Sequence, residues 1–513
     1  MESRWWNVSS RRRPSTGTGG SMRSTSASTG SVTEASDAAR RLCRTGGSRP
    51  YDSRVGEPRR VAIIGAGPSG IFAAQALLAH PGVVVDLYDR LPTPYGLLRY
   101  GVAPDHTSIK GVGEALARVF DSPAVRFLGY VDFGKDVTRE ELLGAYDAVI
   151  YATGAAEDAE MAVPGENLPG SQSARSFVAW YSGHPDAVAF RLTGVRSVVT
   201  VGVGNVAVDV SRILCKTAAE LTPTDMPDPV LDELRGHVVR DVWIVGRRGP
   251  QHASFTTPEL RELLTLPDVQ PVVHDVLDDI DVTTLERRPR ANVEALRVAK
   301  ERAVPDASMR LHLLFWHRPV EIRGSRRVSG ITLERTALDA EGRLVGTGEE
   351  RTVQCELVLR AIGYRARPLP GVSFDEARGV IPNASGRVLD SCGLVLPREY
   401  AVGWIKRGPT GVIGTNKSDA AETVAALVAD LGIDAPASEV PPEVLGDRAP
   451  HADVDTLLRR KGLRPTTYAD WMRIDAAETA LGGRHGRART KIATWGELLD
   501  IARGRSGSGQ SSR

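Results

Sequence analysis

"RRVAIIGAGPSGIFAAQALLAH", residues 59–80, packs a strand, a turn and a helix into one stretch. Val61 to Ile64 form an unbroken apolar run, as a strand buried on both faces does. Gly65-x-Gly67-x-x-Gly70 follows, and then Ile71, Ala74, Leu77 and Leu78 recur at helical spacing. In such a unit Gly65 permits the tight turn, Gly67 lets a phosphate chain approach the backbone, and Gly70 packs helix against strand. The helix start offers free N–H groups and partial positive charge. A second run, "VVVDLYDR", ends at Asp89, where a carboxylate would hold a ribose hydroxyl. A glycine triplet alone is a weak signal, because a ligand-free βα turn reads the same way. The strand before it, the helix after it and the acid at this distance point to a dinucleotide site.

The pattern returns in "RSVVTVGVGNVAVDVSRILCK", residues 196–216. Ser197 to Val201 make the strand, Gly202-x-Gly204-x-x-Ala207 the loop, and Asn205 to Lys216 the helix. After an insertion comes "DVWIVGRRGP" (241–250), the counterpart of "VVVDLYDR". Its tip carries Arg247 and Arg248 where the first has Asp89. An acid there accepts from a free 2′-hydroxyl and repels a 2′-phosphate; arginine does the reverse, through charge-assisted and often bidentate hydrogen bonds. The bland alternative is a surface arginine pair matched to nearby carboxylates. The acid-tipped site suits FAD and the arginine-tipped site NADP, and two such sites in one chain imply a flavoprotein oxidoreductase.

Bulk properties agree. The chain has 513 residues, enough for two domains or more. A net charge of +2 gives no sign of a nucleic-acid partner, and no apolar stretch is long enough to span a bilayer. Cys43, Cys215, Cys355 and Cys392 are scattered without a C-x-x-C, which argues against a redox disulfide, a zinc knuckle or a bound iron–sulfur cluster. Residues 1–58 are rich in Ser, Thr, Gly and Arg and poor in aliphatics, so a disordered extension is expected there. Its Arg- and Ser-rich, acid-poor start resembles a mitochondrial transit peptide, which would send the protein to the mitochondrial matrix. The Arg, Ala, Gly and Val bias of the whole chain favours a bacterial cytoplasmic protein instead, with Met1 or Met22 as its start.

Four longer motifs, "PYGLLRYGVAPDH" (94–106), "GVGNVAVDV" (202–210), "VWIVGRRGP" (242–250) and "VGWIKRGPTGVI" (402–413), resemble the adrenodoxin reductase family. These are ferredoxin–NADP reductases on a glutathione-reductase-like plan. The resemblance implies an α/β fold of two Rossmann-like domains, the NADP domain inserted into a discontinuous FAD domain. The expected boundaries are 59–157 and 361–513 for FAD and 158–360 for NADP. "YDAVIYATGA" (146–155) and "CELVLRAIGY" (355–364) look like paired strands at the two crossovers. It also implies FAD contacts from Ser69, Asp89, Leu97, Val131, Trp404 and Gly411-Val412-Ile413. NADP contacts would come from Val203, Gly204, Asn205, Val206, Arg247, Arg248, Glu259 and Gly411. Asp89 stands where relatives often carry Glu, and a shorter acid alters the ribose contact. Ser69 replaces Ala where the contact runs through backbone.

The reaction implied is hydride transfer from NADPH to the flavin, then single-electron transfer to a separate ferredoxin. Neither a nucleophile nor a metal is required. His106 is a candidate polar group near the flavin, with Asp209 as its hydrogen-bond partner, to hold the site or relay a proton; a structural His–Asp pair is the equal alternative. "RGPTGVIGTNKSDAAETVAALVADLG" (407–432) reads as a glycine loop and a helix with Asp419 as N-cap. The helix start would face the reduced flavin with positive charge. The basic run "LERRPRANVEALRVAKER" (285–302) is either a docking face for an acidic ferredoxin or a solvated helix surface. A monomer is expected, without stable membrane insertion. A non-catalytic NADP-binding flavoprotein sensor, or a reductase with another acceptor, is the rival reading.

Overall fold

The structure is a computed structural model and describes residues 58–106, 111–433 and 453–505. The extension expected over residues 1–58 thus lies outside the described residues, apart from Pro58. The chain enters through β1 (Arg59–Ile64), turns into α1 (Pro68–Leu77) and returns as β2 (Val83–Asp89). β1 and β2 run parallel, Arg59 opposite Val83 and Ile64 opposite Tyr88. β3 (Val125–Gly129) extends the sheet beyond β2, and β4 (Ala148–Tyr151) lies on the other side of β1, both parallel. Val61, Ala62 and Ile63 are fully buried, which explains why their run does not alternate.

Beyond β4 the chain passes through β5 (Glu157–Asp158) into a second parallel sheet. Its strands are β6 (Ser171–Ser173), β7 (Ser197–Val201), β8 (Asp241–Val245), β9 (Val269–Val273) and β10 (Met309–Leu314). β7 leads through the second glycine turn into α2 (Asn205–Cys215). α3 (Thr257–Leu264) and α4 (Arg287–Lys300) follow β8 and β9. An antiparallel meander of β11 (His317–Gly324), β12 (Val328–Leu338) and β13 (Leu344–Gln354) covers one face through Ile322, Ile331, Leu333 and Val353 against Trp243 and Val245. β14 (Leu357–Arg360) then inserts between β6 and β7, giving the order β6-β14-β7-β8-β10-β9.

The chain goes back through β15 (Tyr364–Arg365), which pairs antiparallel with β5. β16 (Asn383–Ala384), β17 (Arg387–Leu389) and β18 (Val395–Ala401) complete the first sheet in the order β16-β17-β18-β4-β1-β2-β3. The first sheet is therefore built from two separate stretches and the second from the stretch between them: an α/β fold with two largely parallel sheets, the first with an antiparallel edge of β16, β17 and β18.

Two local expectations need correction. The strands inside "YDAVIYATGA" and "CELVLRAIGY" do not pair with each other: β4 lies between β1 and β18, and β14 between β6 and β7. The paired crossover is the short β5–β15 ribbon a few residues further along each segment. Asp419 is not an N-cap either. α5 (Thr415–Asp430) begins a turn earlier, after Gly414. The Asp419 carboxylate accepts instead from Gly403 N at 2.5 Å and pairs with Lys406 at 3.2 Å and Arg407 at 3.1 Å. Two cations and a backbone donor brought from outside the helix outcompete a single capping bond.

Candidate functional site

At the first glycine turn the three glycines are not equivalent. Gly65 has φ +116°, and a Cβ there would stand 2.5 Å from Ala152 O. A Cβ on Gly70 would stand 2.0 Å from Gly65 O. Both glycines are required by the protein's own packing. At Gly67 a Cβ would meet only Gly96 Cα, at 4.0 Å. The protein leaves that space open, which fits a phosphate chain. Asp89 braces this turn: Oδ2 accepts from Ala66 N and Oδ1 from Leu91 N, each at 2.9 Å. Desolvation pushes its carboxyl up to about 6, against those two donors. Val131 is buried and donates to Asp89 O, and Leu97 opens the short helix Leu97–Tyr100 with its side chain partly exposed.

The closing segment comes from the far end of the chain. Ser69 Oγ donates to Asn416 Oδ1 at 3.0 Å, joining the start of α1 to the start of α5. A Cβ at Gly403 would lie 2.2 Å from Ser69 Oγ, so that contact demands glycine. Trp404 stacks on Tyr364 with ring centroids 5.7 Å apart and donates from Nε1 to Thr410 O. Gly411, at φ +83°, and Val412 are exposed, while Ile413 packs partly on the core. No side chain caps the start of α5, nor those of α1 and α2; first-turn N–H groups stay available at α1 and α2, whereas those of Thr415, Asn416 and Lys417 in α5 donate to Val412, Ile413 and Gly414 O.

The second turn repeats the first. Gly202 has φ +131°, and its Cβ would fall 2.2 Å from Ala361 O, the counterpart of Ala152. At Gly204 the nearest atom to a Cβ is Ser254 Oγ at 3.5 Å. Val203 O accepts from Ser254 N and Oγ, Asn205 Oδ1 accepts from Thr256 N, and Val203 and Val206 pack against the core. Ser254, exposed at the mouth of this turn, was missed in the sequence because no spacing rule places it there. Arg247 and Arg248 are exposed at the tip of β8, and among the described residues neither guanidinium has an ion-pair partner. The bland reading of a carboxylate-matched pair therefore finds no support.

His106 and Asp209 do meet: Nε2 lies 3.0 Å from Asp209 Oδ1. Burial works against the imidazolium, but the hydrogen bond and charge of Asp209 outweigh it and raise the histidine. The pair belongs to a larger cluster that the sequence did not reveal. Arg212, fully buried, grips Asp105 with Nε and Nη2, each at 2.8 Å. Lys216 bridges Asp105 and Glu262 at 2.7 and 2.9 Å. Glu259 sits close by; its Oε2 is buried without a hydrogen-bond partner among the described residues, and burial, then the Asp209 charge, raise it.

The basic run 285–302 spends much of its charge on its own surroundings. Arg290, Arg297 and Lys300 donate to carbonyls of residues 275–283, and Arg302 to those of Leu264, Leu266 and Val269. Arg287 and Arg288 remain exposed at the start of α4. Cys215 and Cys355 are buried free thiols and Cys392 an exposed one. Among the described residues no cluster of His, Cys, Asp and Glu suits a metal ion, and no helix is long and apolar enough to cross a membrane.

Two glycine turns of this kind on two largely parallel sheets define a class, and residues 59–392 match the pyridine nucleotide-disulphide oxidoreductase family, to which the chain belongs. Within it the chain is similar to ferredoxin reductases. NADPH-ferredoxin reductase FprA of Mycobacterium tuberculosis is 43% identical over 466 residues, covering 87% of this chain and 100% of that protein. Mitochondrial NADPH:adrenodoxin oxidoreductase of Homo sapiens is 40% identical over 465 residues, covering 86% and 91%. The solved structure of Mycobacterium tuberculosis FprA in complex with NADPH matches with a TM-score of 0.79 at 42% identity, over 87% of this chain and all of that one.

Proposed function

We propose that this chain is an FAD-containing NADPH:ferredoxin oxidoreductase. The observation that carries the reading is the contrast between two otherwise repeated turns. One ends at Asp89, which braces its own loop; the other ends at two exposed guanidinium groups with no carboxylate partner among the described residues. Bound FAD and NADPH supply the redox chemistry, electrons entering as a hydride and leaving singly to an iron–sulfur ferredoxin. Gly65, Gly67, Ser69, Gly70, Asp89, Leu97, Val131 and Trp404 would hold the FAD. Gly411, Val412 and Ile413 close over the same site, and the uncapped start of α5 favours negative charge beside them. Val203, Gly204, Asn205 and Val206 would seat the NADP pyrophosphate and Arg247 and Arg248 its 2′-phosphate, with Glu259 and Gly411 as further NADP contacts. His106 and Asp209, 3.0 Å apart, would hold the site or relay a proton near the flavin.

The layout that goes with this is an FAD domain of residues 59–157 and 361–513 around an NADP domain of 158–360. Arg287 and Arg288 are the basic residues of α4 left free to attract an acidic ferredoxin. The protein acts as a monomer in the bacterial cytoplasm, or in the mitochondrial matrix if residues 1–58 are a transit peptide; the described thiols, Cys215, Cys355 and Cys392, are unpaired, as a reducing compartment would leave them. The test is NADPH-driven reduction of cytochrome c by the purified yellow protein, with and without ferredoxins from the same genome. Ferredoxin-dependent reduction is expected. Flavin that bleaches with NADPH but passes electrons to no iron–sulfur protein would overturn the choice of acceptor, and flavin that fails to bleach would favour a sensor.

A further inference from the structure

The cluster at His106 places more acceptors around one nitrogen of Arg212, Nη2, than that nitrogen can serve. Arg212 Nη2 carries two hydrogens. It lies 2.8 Å from Asp105 Oδ1, 2.8 Å from His106 Nε2 and 2.9 Å from Asp209 Oδ1. His106 Nε2 in turn lies 3.0 Å from the same Asp209 oxygen. Three atoms, Nε2, Nη2 and Oδ1, thus form a closed triangle in which only some hydrogen placements are allowed. When the ring is doubly protonated, Nε2 donates to Asp209, and two cationic donors face one another across 2.8 Å. When Nε2 is bare it accepts from Arg212, and Asp209 loses its histidine donor.

Resting on the ferredoxin reductase reading, we propose that Arg212 is a positioning residue that competes with the proton for His106 Nε2 and so sets when His106 takes up or releases it. Arg212 is suited to this because it cannot move away. Its guanidinium is wholly buried and held by the two bonds to Asp105, which belongs to the same loop as His106. One clamp thereby ties the 101–106 loop of the first glycine unit to α2 of the second. The surrounding charges draw a proton in. Among the described residues, Asp105, Asp209, Glu259 and Glu262 face two permanent cations, Arg212 and Lys216, and the Tyr181 hydroxyl nearby is buried without a hydrogen-bond partner. The overall reaction needs such an exchange point: a hydride that enters and leaves as two single electrons leaves one proton to be released. The consequence is a pair of opposite effects. Removing Arg212 removes the competing donor and a like charge, so His106 holds its proton to higher pH. Removing the Asp209 charge leaves Nε2 to Arg212, so His106 gives its proton up at lower pH.

The experiment is an NMR titration of the flavin-loaded protein labelled in its histidine rings, with the His106 signal assigned by its loss in His106→Gln. Arg212→Gln should raise the His106 midpoint by about one pH unit or more, and Asp209→Asn should lower it by a similar amount. The pH profile of ferredoxin-coupled turnover should move in the same two directions. Arg212→Lys, which keeps a cation opposite Asp105 but loses the fork, should shift the midpoint upward by less; it serves if Arg212→Gln does not fold. A folded, flavin-containing Arg212 variant whose His106 midpoint stays within about 0.3 units of wild type would overturn the proposal. So would shifts of the same sign in the Arg212 and Asp209 variants. The titration does not depend on the acceptor: wild-type protein that reduces no ferredoxin would refute the functional reading and leave the role of Arg212 to be judged on the midpoints.

Discussion

Replacing both Arg247 and Arg248 by alanine should separate NADPH from NADH without disturbing the fold. Neither side chain has an ion-pair partner to lose among the described residues, and both are exposed. The strand tip is pinned by backbone instead: Thr336 Oγ1 donates to Arg247 O at 2.8 Å and Trp316 N to Arg248 O at 3.3 Å. Stability should therefore change by less than about 0.5 kcal/mol per site, as for ordinary surface substitutions. A hydrogen bond to a charged group is worth about 1.5–3 kcal/mol, and exposure at the rim argues for the lower end. At about 1.4 kcal/mol per factor of ten, each arginine is worth roughly tenfold in KM for NADPH and the pair roughly a hundredfold. kcat should change much less, because the 2′-phosphate binds equally in ground and transition states. KM for NADH should be unmoved, and raised salt should reproduce part of the loss in wild type. His252 gives an internal check: burial and then the Arg248 charge hold it below its ordinary value, so its titration should move upward in the variant. Steady-state kinetics with both nucleotides decide the matter. A double variant that keeps its full preference for NADPH would refute the assignment of these arginines.

Gly67→Val should give a folded but colourless protein, since Gly67 has φ −76° and its Cβ would meet nothing closer than 4.0 Å. Gly65→Val should fail to fold instead, because its φ of +116° and the 2.5 Å approach to Ala152 O leave no room; absorbance at the flavin band and circular dichroism distinguish the two. Arg99→Met strips one of two cationic partners from Glu478, which is fully buried and bonded to Arg99 at 2.5 and 3.0 Å, leaving Arg489 at 3.1 Å, and should cost about 3 kcal/mol in denaturant unfolding at neutral pH, the lower end for a broken buried pair. Burial opposes the charge of Glu478, but Arg99 and then its other donors hold the carboxyl below its ordinary value. Its stabilisation is thus present above the unfolded-state range and lost as pH falls through the lowered folded value, so the loss caused by Arg99→Met should shrink in acid. Asp419→Ala should loosen the 403–408 segment and weaken flavin retention, at about 1–3 kcal/mol of stability, read by flavin release on dilution and by thermal unfolding.

The two glycine turns were legible in the sequence because their geometry is local. A strand, a turn that only glycine can make and a helix start lie within one short segment, so spacing alone specifies them. The same holds for the contrast between Asp89 and the Arg247–Arg248 tip, since each sits one strand beyond its turn. The interleaving of the chain through two sheets was legible only through the resemblance of long motifs. Which groups meet across the fold was decided by the tertiary structure. Asp105 and Arg212 are 107 positions apart, Ser69 and Asn416 347, and Arg99 and Glu478 379. No local pattern announces such partners, because a charge far along the chain becomes a neighbour only when buried strands set the register and bring their loops together. Asp419 illustrates the difference: by sequence an N-cap three residues before Glu422, it is claimed in the folded chain by Gly403, Lys406 and Arg407. A carboxylate follows the strongest donors within reach, and only the fold determines which donors those are.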